Sequence, residues 1–100
     1  DITVIYYLPI NIPNVFTPNG DGLNDGWVIT GLGKYKEVTV KVFNRWGVQV
    51  FSDQDGFRAG WDGTYNGTDV PSGTYYYIAE LTGSHDGNDR TFTGPLTIIR

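Results

Sequence analysis

Side-chain oxygens crowd one stretch of this chain. Asn19-Gly20-Asp21-Gly22-Leu23-Asn24-Asp25 offers them at positions 19, 21, 24 and 25, between glycines that let the backbone curl. Clusters of this kind suit Ca²⁺, a hard cation that takes about six to eight oxygen ligands. Asn19, Asp21, Asn24 and Asp25 are therefore candidate calcium ligands, with Asp62 as a candidate from further along the chain. The pattern is not that of an EF-hand, because Leu23 stands at the fifth loop position and no Glu stands at the twelfth. The same residues also read as an Asx-turn loop, in which Asn and Asp cap the backbone. The loop reading is favoured, since the stretch brings only the carboxylates of Asp21 and Asp25.

Catalytic chemistry has little to work with. His85 is the sole histidine and lies in a polar Ser84-His85-Asp86-Gly87 stretch; the serines are Ser52, Ser72 and Ser84, none in a G-x-S-x-G setting. No spacing singles out a pair of aspartates for acid–base work of the glycosidase kind. No catalytic residue is assigned and no enzyme is expected. Exposed tryptophans could stack on sugar rings, but Trp27 and Trp61 read as plugs of a small core, because each buries a large area. Trp46, beside Arg45 in a turn, is the one expected at the surface. Asn66-Gly67-Thr68 matches the short N-glycosylation triplet.

One hundred residues make one domain, and at 39% hydrophobic and 15% aromatic it has bulk enough for a core. No cysteine is present, so disulfides and thiolate metal sites are excluded. The net charge is −4, and nine of the eleven acids are Asp, which suits turns. The seven basic residues are scattered, which argues against nucleic acid, and no small-molecule substrate is indicated. No apolar run reaches transmembrane length. A first residue of Asp1 is read as excision from a longer protein, with any export signal upstream.

These residues need strands to position them. ITVIYYLPI (residues 2–10) is apolar and β-branched, and residues 12–16 and 27–30 read as short extended runs. EVTVKVFN (37–44) alternates, so Val38, Val40 and Val42 should share the buried face while Lys41 faces solvent. Asn44-Arg45-Trp46-Gly47 should turn this strand into an antiparallel partner over residues 48–52, with Gly47 in the left-handed conformation. Residues 53–72 read as loop, 74–82 and 91–100 as closing strands, and GSHDGNDR (83–90) as the hairpin tip between them. About seven short strands with frequent glycine predict an all-β fold, an immunoglobulin-like antiparallel β-sandwich. The last strand, 92–99, is placed at a sheet edge where a partner strand could add.

Taken in order, VFTPNGDGLND (15–25), VKVFNRWGVQVF (40–51), GWDGTYNG (60–67), VPSGTYYY (70–77) and GPLTIIR (94–100) resemble the gliding motility-associated C-terminal domain, the type B sorting domain of the type IX secretion system in Bacteroidota. The resemblance covers residues 11–100 of a single domain spanning 1–100, with residues 1–10 as a leading strand. It implies a sorting signal that directs a larger surface or secreted protein, such as an adhesin, through the outer-membrane translocon. The implied partner is a PorP/SprF-like outer-membrane protein, and the implied destination is the cell surface or medium by way of the periplasm. A basic residue ending the chain after an apolar strand fits the terminal position of such domains. The alternative is a calcium-stabilised immunoglobulin-like structural or adhesion module of a cell-surface protein.

Overall fold

The computed structural model describes residues 10–20, 22, 25–57, 59–84, 87 and 89–100. The expected leading strand up to residue 9, along with Asp21, Asn24 and His85, lies outside the described residues. Among the described residues, seven strands and one 3₁₀ turn (Leu32–Lys34) make up the regular structure: β1 (Val15–Phe16), β2 (Glu37–Phe43), β3 (Gln49–Asp53), β4 (Thr64–Tyr65), β5 (Thr68–Asp69), β6 (Gly73–Thr82) and β7 (Arg90–Ile98). Five of them form one sheet in the order β1-β7-β6-β2-β3, and β4 and β5 pair by themselves. The domain is all-β and consistent with an immunoglobulin-like sandwich.

The alternation expected of β2 holds. Val38, Val40 and Val42 are buried, and Lys41 between them is half-buried rather than fully exposed. Tyr75, Ala79 and Leu81 on β6 and Leu96 and Ile98 on β7 bury the same face of the sheet. Phe16, Trp27, Ile29, Phe57, Trp61 and Val70 join them in one core. Much of the opposing layer is therefore turns and isolated bridges rather than long strands. The run 27–30 contributes only two bridges, Trp27 to Trp61 and Thr30 to Asn11.

Three features depart from the expected pattern. The pairing is antiparallel except for β1, which runs parallel to β7 with Val15 opposite Thr97 and Phe16 opposite Ile98. Strand β3 carries a bulge: Val42 faces Phe51 and Phe43 faces Gln49, which leaves Val50 as the extra residue. The stretch read as loop contains a two-residue hairpin, with Asn66 at φ 53° and Gly67 at φ 79° between β4 and β5. Two consecutive positive φ angles are the backbone of a type I′ turn, for which Asn-Gly is the favoured pair.

The edge position expected of the last strand holds for part of its length. The β1 pairing covers Thr97 and Ile98 only; among the described residues no strand lies beside Arg90–Leu96 on that side. Thr97 and Ile99 donate their N–H groups outward, to Asn14 O and Phe16 O at 2.8 and 3.1 Å. Two residues before Thr97, Pro95 faces the same way, so its missing N–H takes nothing from the ladder with β6.

Candidate recognition end of the sandwich

The quoted sequence motifs converge on one end of the domain, each held by local chemistry. In the Asn44–Gly47 turn, Asn44 Oδ1 accepts from the N–H groups of Trp46 and Val48, both at 3.0 Å, and Gly47 N donates to Asn44 O at 3.0 Å. Gly47 has φ 82°, as the turn requires. Trp46 is left 73% exposed, with the Arg45 guanidinium carbon 4.3 Å from its ring centroid. That stacking is a cation–π contact that holds both side chains out as one unit.

The other two tryptophans are core, at 0% exposure for Trp27 and 3% for Trp61. Their backbones exchange hydrogen bonds of 2.7 and 3.0 Å, and their indole N–H groups reach Pro13 O and Thr64 O. Gly60 makes this approach possible, since a Cβ there would stand 2.8 Å from Trp27 O. Asp62 Oδ1 accepts from Thr64 N and Oγ1, which closes the Trp61-Asp62-Gly63 turn.

Tyr75, first of the three tyrosines, turns inward and donates its hydroxyl to Pro71 O at 2.7 Å. This is the back-bonded tyrosine corner seen in immunoglobulin-like sandwiches. Burial raises its pKa above 10.0, while the positive charges of Arg100 and then Arg45 pull it back down. Burial alone pushes the Tyr77 hydroxyl up. Tyr76 points the other way and is exposed. A shallow hollow of about 300 Å³ lies between residues 44–46 and 71–75, and Arg45 is the one charged residue in its lining.

Arg100 binds these turns together. Its Nε donates to Val70 O at 2.7 Å, Nη2 to Gly63 O at 2.6 Å and Nη1 to Pro18 O at 3.3 Å. Its main-chain N–H reaches Ser72 Oγ at 3.1 Å, and Nη1 lies 3.6 Å from the Asp69 carboxylate. The terminal basic residue was legible in the sequence, but its targets were not, because all lie 28 or more residues away.

The proposed calcium residues are only partly in view. Asp25 accepts from Gly20 N at 2.9 Å through Oδ1 and from Gly22 N at 2.7 Å through Oδ2. Asn19 donates its backbone N–H to Thr17 O. Among the described residues no group of three or more His, Cys, Asp or Glu side chains could hold a metal ion.

The ordered motifs and their shared end of the fold coincide with a match to the CHU_C type IX secretion signal domain, which covers residues 10–98. The chain belongs to the type IX secretion signal domain family. Comparison with curated proteins gives no match. As a type IX secretion signal domain, it is a C-terminal sorting signal for export toward the cell surface or extracellular space, and it acts on the type IX machinery. The matched stretch takes in every motif turn described above and stops two residues short of Arg100.

Proposed function

We propose that this secretion signal domain is a non-catalytic address on a larger surface or secreted protein, read in the periplasm by the outer-membrane translocon through a PorP/SprF-like partner. The observation that carries the reading is the family match over residues 10–98. The fold is compatible with it. An address needs a stable body and a distinctive surface rather than a deep cleft, and this sandwich concentrates its motif turns at one end. A calcium-stabilised adhesion module would fold on the same sheet, but no observation favours it over sorting.

The partner assignment is tested by expressing residues 1–100 behind a signal-peptide-bearing fluorescent reporter in a host with a type IX system, with and without the matching PorP/SprF-like gene. The reporter is expected in the medium or on the surface when the gene is present and in the periplasm when it is deleted. Equal export in both hosts would overturn the partner assignment.

A further inference from the structure

We propose that Arg100 is the positioning residue of the sorting signal: its guanidinium fork locks the Pro18, Gly63 and Val70–Ser72 turns into one composite surface, and the secretion machinery reads that surface. The inference rests on the sorting reading above and adds the residue that assembles the signal.

Three observations carry it. First, the fork is fully used. Three different guanidinium nitrogens donate to three carbonyls, at 2.6, 2.7 and 3.3 Å. Gly63 and Val70 already meet at the open end of the β4–β5 hairpin, where Val70 N donates to Gly63 O at 2.9 Å, and the fork ties that hairpin to Pro18 beyond β1. Arginine can do this because its planar head presents donors on several edges at once, whereas lysine offers one compact ammonium.

Second, the Arg100 side chain is only 22% exposed although the residue as a whole lies at the surface, while Asp69 beside it is 71% exposed and Pro71 and Ser72 are also at the surface. A partner would meet the turns that Arg100 arranges, with most of the guanidinium behind them. That makes Arg100 a positioning residue rather than a contact.

Third, the room for the fork is built into the chain. A Cβ on Gly63 would stand 3.0 Å from Nη2 and 3.3 Å from Pro18 Cγ, and Gly63 has φ +81°, a conformation that side chains disfavour. Strand β7 is already anchored by β6 along its length and by β1 at Thr97 and Ile98. The Arg100 side chain reaches past the end of that ladder, to Pro18 just beyond β1 and to Gly63 and Val70 at the open end of the β4–β5 hairpin.

The test compares export of the reporter fused to residues 1–100 with that of its R100Q, R100K and V40A variants. Melting temperatures of the purified fusions are measured alongside. V40A opens a gap in the core far from the clamp and serves as the stability control. R100Q is expected to cut export roughly tenfold, the size of effect that one misplaced anchor has at a protein interface. R100K, which keeps the charge and loses the fork, should also export poorly. V40A should export like the unaltered domain although it melts at least as far below it as R100Q does.

Export of R100Q at the unaltered level would overturn the proposal. So would export of V40A and R100Q falling together with melting temperature, since Arg100 would then act through stability alone. Full export of R100K would show that charge suffices and would also overturn it. If the unaltered fusion itself stays in the periplasm, the sorting reading fails and the inference falls with it; that outcome is distinct from failure of the variants alone.

Discussion

Asp25 spends both carboxylate oxygens on the backbone, accepting from Gly20 N and Gly22 N across a tight loop. An exposed carboxylate that receives two N–H groups in this way stabilises by about 1 kcal/mol, as a helix cap does. Asp25→Ala is therefore expected to lower stability by that amount, read as a shift of the denaturant midpoint with an unchanged slope. Calcium at Asn19, Asp21, Asn24 and Asp25 stands as a separate proposal. If an ion binds there, millimolar Ca²⁺ raises the melting temperature by mass action and EDTA lowers it. A melting curve indifferent to both would leave Asp25 closing the loop alone. The three tryptophans show what single residues disclose. Trp46 in a turn beside Arg45 reads as exposed from its neighbours, and Trp27 and Trp61 read as core from size. Phe57 stands in a stretch that reads as polar loop, yet it is buried against Trp27 and Phe51, with ring centroids 5.3 and 5.8 Å apart. A lone aromatic among Asp, Gly and Ala was the available signal.

Strand β2 is the element whose sequence is most explicit. It lies between β6 and β3, so its register decides which side chains enter the core. Val40→Ala removes two methyl groups from a fully buried site and is expected to cost about 2 kcal/mol. Lys41→Ala, one residue on, should stay within about 0.5 kcal/mol. Chemical denaturation of the two variants checks the register; a costly Lys41→Ala beside a neutral Val40→Ala would put the strand the other way round. Period-two patterning made β2 legible because each position meets a constant environment on one face. The bulge at Val50 in β3 was not legible, since one inserted residue breaks that alternation without a local cue. The short β4–β5 hairpin does have a cue, Asn66-Gly67 between Tyr65 and Thr68, which the surrounding glycines and Pro71 obscure.

At the scale of the whole molecule, strand order and the convergence of turns depend on contacts between distant residues. The parallel β1–β7 pair and the Arg100 clamp each join residues about eighty apart, such as Val15 with Thr97 and Pro18 with Arg100. Local propensity carries no information about such partners, which is why the composition predicted an all-β sandwich but not its one parallel edge. The family resemblance bridged that gap for function, because its motifs are the turns that end up together. Removing residues 94–100 strips the β7 rungs opposite Gly73–Tyr77 together with the clamp, and so removes both the body and the arrangement of the signal. The most direct measurement is the fraction of a signal-peptide-bearing fluorescent reporter that crosses the outer membrane of a type IX-competent host when fused to residues 1–100. Most of the reporter is expected outside the cell or on its surface, and retention in the periplasm is expected for the fusion lacking residues 94–100 and in a host without the translocon. A full-length fusion held in the periplasm of the competent host, or equal export of the truncated one, would contradict the sorting function.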